Sequence, residues 1–155
     1  FVNNFVYKVD FPVYLSSDYI KSGFERLRSY RLLNGLYSEQ KITQFKNNLV
    51  DSYGSVPDSG QNLINLRLLM VCCFELGLIS IVVDKNSSEF AFNSSFNRGE
   101  DLFKFLSLNS ERFGMDSYAF DQKEHITLLK IKYSEELILN GGYFVGFVKS
   151  FSAFK

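Results

Sequence analysis

Between Leu63 and Ile79 only Arg67 and Glu75 carry charge, within a run that reads NLINLRLLMVCCFELGL from Asn62 to Leu78. A helix built from this run is apolar nearly all round rather than along one stripe, so the rest of the chain has to enclose it. Its ends are marked. Pro57-Asp58-Ser59 offers a turn and a side-chain acceptor for the first orphan N–H groups, and Gly77 stands where a left-handed residue closes a last turn. At ~3.6 residues per turn the span gives about four to five turns, short of the ~20 apolar residues that a membrane crossing needs. Each buried Leu, Ile, Met, Val or Phe stabilises by roughly 1.5–3 kcal/mol, so this one segment supplies much of a core.

With 155 residues the chain has room for a single domain, 1–155, around that core. Hydrophobic residues at 46% and charged residues at 22% exclude a disordered chain. The net charge is zero but unevenly spread: residues 1–50 carry seven basic and four acidic side chains, and residues 51–110 carry four and seven. A polyanion would meet the N-terminal third. Seventeen Phe and nine Tyr support two readings, a core built from Phe or rings that reach the surface at an interface. Cys72 and Cys73 are neighbours whose side chains diverge by about 100° on a helix, so they cannot bridge each other. Free thiols without a disulfide framework favour an intracellular setting, cytoplasmic or nucleoid/nuclear. A first residue of Phe rather than Met suits a segment of something longer.

Taken in order, apolar residues at odd positions from Phe1 to Leu15 predict a strand, which Pro12 either confines to a sheet edge or breaks. Ser16-Ser17-Asp18 then opens a helix with Ile20, Phe24 and Leu27 on its apolar side, closing at Asn34-Gly35. Its other side carries Lys21, Arg28 and Arg31, with Tyr30 nearby to stack on a base. Ser38 caps a second helix with Ile42, Phe45, Leu49 and Val50 at helical spacing, stopped by Gly54. After the apolar helix, the β-branched run Leu78–Val83, the turn Asp84–Ser88 and Glu89–Phe92 predict a hairpin. Residues 97–108 read as a helix. Residues 121–139 read as another helix, with two strands and an Asn140-Gly141 turn as the alternative. Tyr143–Phe151 reads as a strand, so that edge strands come from both termini.

Three helices followed by a hairpin, the third ending Glu75-Leu76-Gly77-Leu78-Ile79, resembles the winged helix-turn-helix families in order and punctuation over residues 18–93, with 97–155 as a helical and strand extension. The resemblance implies an α+β, winged-helix-like core in which Ser59, Gln61, Asn62, Asn65 and Arg67 face a DNA groove and Lys85 rides on the wing. The third helix is far more apolar than a groove reader, and many winged helices serve protein contact instead.

Catalytic chemistry has few footholds. His125 is the single histidine, and no glycine loop matches a nucleotide-binding spacing. Pro57-Asp58 and Asp121-Gln122-Lys123 spell the letters of the PD-(D/E)xK nucleases, in which two carboxylates hold a metal and a lysine activates water. The reading therefore leans away from an enzyme and calls for no cofactor. It expects an interaction module of an intracellular assembly acting on DNA, with a protein partner or a second copy as its contact and no membrane. A DNA-reading winged helix and a metal-dependent nuclease through Asp58, Asp121 and Lys123 are the alternatives.

Overall fold

A computed structural model describes residues 5–155 as an α+β chain. Among these residues the order is β1 (Val6–Val9), α1 (Gly23–Asn34), α2 (Glu39–Tyr53), α3 (Asp58–Cys73), β2 (Leu78–Val83), β3 (Ser87–Phe92), α4 (Gly99–Asn109), β4 (Met115–Lys123), β5 (Ile126–Tyr133) and α5 (Gly141–Ala153). Whereas the sequence reading treats the chain as one domain, the residues cluster into two compact units, divided inside α3 and inside α5. Among the described residues a helical unit holds Phe11–Val71 and Asn140–Val145, and a sheet unit holds residues 5–10, Cys72–Leu139 and Gly146–Lys155.

The helical unit packs around Leu15, Ile20, Leu33, Ile42, Phe45, Leu49 and Ile64. Its α2 follows its sequence closely: Ser38 Oγ accepts the Lys41 N–H at 3.3 Å, and Gly54 stops the helix at φ +85. Every residue of α3 from Ser59 to Cys73 is buried or half-buried, as an all-round apolar helix requires. The helix ends at Cys73, earlier than expected, and two further turns lead into β2. Gly77 does adopt φ +81, but beyond the helix, where a Cβ would meet Asn93 Oδ1 at 2.6 Å. Only glycine suits both demands.

The sheet unit has strand order β1-β2-β3-β5-β4, with β1 parallel to β2 and the other pairs antiparallel. The N-terminal strand is at an edge and spans only Val6–Val9, stopping before Pro12; the part expected over residues 1–4 lies outside the described residues. The β2–β3 hairpin lies inside the sheet rather than standing out as a wing. One sheet face buries Ile81, Phe90, Leu129 and Ile131. Phe147 of α5 meets Phe90 at 5.5 Å and Phe105 of α4 at 5.8 Å, and Phe105 also meets Phe151 at 5.7 Å. Much of the phenylalanine thus builds a core.

Two expectations for the C-terminal part are corrected. Residues 121–139 are not a helix: β4 and β5 form a hairpin, turning at Glu124-His125 with Glu124 at φ +53. Tyr143–Phe151 is not a strand but lies in α5, whose start is fixed by Asn140 Oδ1 accepting the Tyr143 N–H at 2.9 Å. The Asn-Gly pair read as a hairpin turn is a helix cap.

Candidate interaction surface

Helix α1 begins later than the sequence suggests. Ser16 closes only a short turn, its carbonyl accepting the N–H groups of Tyr19 and Ile20. The cap is Ser22, whose Oγ accepts the Glu25 N–H at 3.2 Å. What turns the helix is the set of anchors at 26, 29, 30 and 33. Arg26 Nη1 donates to the Ile20 carbonyl at 2.6 Å and the Lys21 carbonyl at 3.1 Å. Tyr30 Oη accepts the buried Leu15 N–H at 2.7 Å, and Ser29 and Leu33 are buried.

With that face turned inward, positions 24, 27, 28, 31 and 32 point outward, an i, i+3, i+4, i+7, i+8 stripe of the kind that normally faces a core. Phe24 is 74% exposed, Leu27 48% and Leu32 51%. Together with Arg28 and Arg31 they line an open cleft of about 240 Å³. The apolar side expected to contain Ile20, Phe24 and Leu27 is split: Ile20 is buried ahead of the helix, and the other two lie in water beside the arginines. Arg28 lies 3.5 Å from the Glu25 carboxylate. Arg31 forms no ion pair among the described residues. Lys21 is exposed just before the helix, and Tyr30, expected to stack on a base, is half-buried and already engaged by Leu15.

The residues expected to read DNA on α3 are internal braces. Asn62 is 7% exposed, its Nδ2 donating to the Pro12 carbonyl at 3.0 Å and its Oδ1 accepting the Gly141 N–H at 3.0 Å. Asn65 is half-buried and accepts from Gln61 Nε2 at 3.2 Å; a Cβ on Gly141 would stand 2.8 Å from the Asn65 Cβ. Arg67 Nε donates to the Leu36 carbonyl at 2.9 Å, and its guanidinium lies 4.8 Å from the Tyr37 ring centre. These side chains tie α3 to the Pro12 segment, the α1–α2 connection and the start of α5. Asn62 and Arg67 are thus engaged within the helical unit, and the Arg67 nitrogen without a partner among the described residues, Nη2, is itself buried.

The remaining candidates belong to other elements. Lys85 is exposed in the β2–β3 turn of the sheet unit. Asp58 opens α3 in the helical unit, whereas Asp121 and Lys123 are exposed on β4 in the sheet unit, so Asp121 is a strand residue and not a second helix cap. His125 is exposed in the β4–β5 turn. Among the described residues no group of three or more His, Cys, Asp or Glu is placed to hold a metal. Burial pushes the Cys73 thiol well above its ordinary pKa, with Cys72 adding to the shift, which leaves it a poor nucleophile. The sheet unit has a larger open groove, about 440 Å³, in which Lys130 and Lys132 are balanced by Asp84 and Glu89 and which Val82, Tyr118 and Ile131 also line. No helix of the described residues is long and apolar enough to cross a membrane.

Comparison with known proteins gives a consistent result. The family described as the TRCF domain matches residues 9–101, more than half of the chain and all of α1, α2 and α3. A transcription-repair-coupling factor of Rickettsia bellii (strain RML369-C) is 23% identical over 95 residues, 61% of this chain and 8% of that protein. Another, of Mycobacterium tuberculosis (strain CDC 1551 / Oshkosh), is 30% identical over 76 residues, 48% of this chain and 6% of that protein. The chain thus spans less than a tenth of the length of these curated relatives. The crystal structure of a C-terminal domain of transcription-repair coupling factor is similar with a TM-score of 0.74 and 17% identity, over 96% of this chain and 94% of that one, and so shares its fold.

Proposed function

The chain belongs to the TRCF domain family, and on that footing we propose that it is a non-enzymatic interaction module of a transcription-repair-coupling factor, making a protein contact within an assembly that acts on DNA. The observation that carries this reading is the outward stripe of α1. Three large apolar side chains left in water, on a helix whose other side is pinned to a core, form a surface whose burial against a protein is favourable by roughly 25 cal/mol per Å². Phosphates would gain from Arg28 and Arg31 but nothing from Phe24, Leu27 and Leu32. The DNA-reading alternative is less favoured, because Asn62 and Arg67 spend hydrogen bonds on the Pro12 and Leu36 carbonyls within the helical unit.

The test is a photo-crosslinking amino acid at position 27, in the chain as it occurs in its cell. Protein adducts are the expected result. Adducts to DNA, or no adduct while an equally exposed position outside the stripe does cross-link, would overturn the reading. A titration of labelled duplex with the chain checks the same point in vitro. Binding that survives physiological salt, with the steep salt dependence of counterion release, would move the function to DNA.

A further inference from the structure

We propose that the α1 stripe seats an amphipathic protein helix that carries aspartate or glutamate beside its apolar residues; this rests on the interaction-module reading above. The stripe runs from position 24 to 32, about 12 Å at ~1.5 Å per residue. That is the length over which a partner helix presents anchors at i, i+3 or i+4, and i+7. The cleft between Phe24, Leu27 and Leu32, about 240 Å³, accepts one or two such anchors.

Charge selects the partner. Glu25 is the acid of this helix, and Arg28 already lies 3.5 Å from it. Arg26 is turned inward onto the Ile20 and Lys21 carbonyls, so its contacts are made. Arg31 and the outer part of Arg28 are left over, between Leu27 and Leu32 around the helix, where guanidinium forks suit carboxylates. A basic partner helix would place like charges against them, and burying those without a counter-charge is costly. An acidic one sets its carboxylates against these two arginines and its apolar residues against Phe24, Leu27 and Leu32.

The experiment is a selection from a displayed library of random peptides of about four helical turns against the whole chain. The enriched peptides are then measured against the double variant Arg28→Glu/Arg31→Glu, against Leu27→Asp, and against the conservative Arg28→Lys/Arg31→Lys. The expected peptides carry Leu, Phe or Trp at helical spacing with Asp or Glu between them. They should lose about tenfold or more in affinity to the charge-reversed and Leu27→Asp chains, and lose less to the lysine chain. Each substitution is at a surface position, and unchanged unfolding curves confirm the fold. Enrichment of basic or uncharged peptides, equal binding to the reversed chain, or no enrichment overturns the proposal. So does displacement of the peptides by duplex DNA or by vesicles of anionic phosphatidylglycerol, which would assign the stripe to a nucleic acid or a lipid surface. If no acidic peptide is selected while position 27 still cross-links to protein in cells, the helix partner fails and the interaction-module reading stands.

Discussion

Helices α1 and α2 follow one another in the same unit, each opened by a serine cap and each followed by a glycine, yet they present their apolar residues in opposite directions. In α2 the stripe Ile42, Phe45, Leu49 is buried and the polar side is wet. In α1 the stripe of Phe24, Leu27 and Leu32 is wet, and the inward side is Arg26, Ser29, Tyr30 and Leu33. Periodicity states that apolar residues share a face. It does not state which face the fold covers. In α1 the inward side is held by Arg26 on the carbonyls before the helix, by Tyr30 on Leu15 and by the buried Ser29 and Leu33, and the apolar stripe is left outside.

The most direct way to break this contrast is a pair of truncations. Phe45→Ala should cost about 3–5 kcal/mol of unfolding free energy, the range for emptying a ring-sized site in a core. Phe24→Ala should lie within about 0.5 kcal/mol of the parent, as surface changes do. Denaturant unfolding of both variants decides it. If Phe24→Ala costs as much as Phe45→Ala, the α1 stripe is covered in solution and no open surface exists.

A second pair applies the same comparison to polar side chains. Asn62→Ala removes the partners of the Pro12 carbonyl and the Gly141 N–H inside the fold and should cost about 2–4 kcal/mol. Arg31→Ala, with no ion pair to lose among the described residues, should be close to neutral. A near-neutral Asn62→Ala in the same unfolding assay would return Asn62 to the list of residues free to read DNA.

How much of this was legible follows the same division. The apolar run of α3 and the Ser38 and Gly54 marks of α2 were visible because each is a local signal whose structural answer is also local. The hairpin β2–β3 was visible for the same reason, but not its place within the sheet, which depends on pairing with strands far off in sequence. The hairpin β4–β5 was misread although Leu129-Lys130-Ile131-Lys132-Tyr133 alternates cleanly. Its partner β4 is an edge strand exposed along most of its length and so needs no alternation, and its turn uses Glu124 at positive φ where a glycine or asparagine would have announced it. Helix α5 was hidden by Gly141, Gly142 and Gly146, of which Gly141 is required by the approach to Asn65 and the Asn62 carbonyl rather than by a turn. The α1 surface is half visible in the sequence: Arg28 and Arg31 stand out as basic residues, but Phe24 and Leu27 read as core because nothing local reveals that Tyr30 reaches Leu15. The Ser22-x-x-Glu25 spacing was the one available sign that the helix starts late.

The anchor that sets the facing of α1 gives a sharper, smaller test. Tyr30→Phe keeps the ring and removes only the hydroxyl, leaving the buried Leu15 N–H without its acceptor, and should cost about 1–2 kcal/mol. No loss of stability would mean that packing alone turns α1, and the argument from hydrogen bonding would fail while the exposed stripe remained.

The smallest expected effect compares the two caps directly. Ser22→Ala and Ser38→Ala each remove one side-chain acceptor from a helix N-terminus, and each should cost about 1 kcal/mol. Equal losses in global unfolding mean that α1 is as firmly part of the cooperative unit as α2, so its outward stripe is a surface held ready before any partner arrives. If Ser22→Ala instead leaves global stability unchanged and only speeds amide hydrogen exchange within α1, that helix opens on its own. Partner binding would then have to order it, and peptide affinity would fall with Ser22→Ala even though Ser22 is not in the stripe.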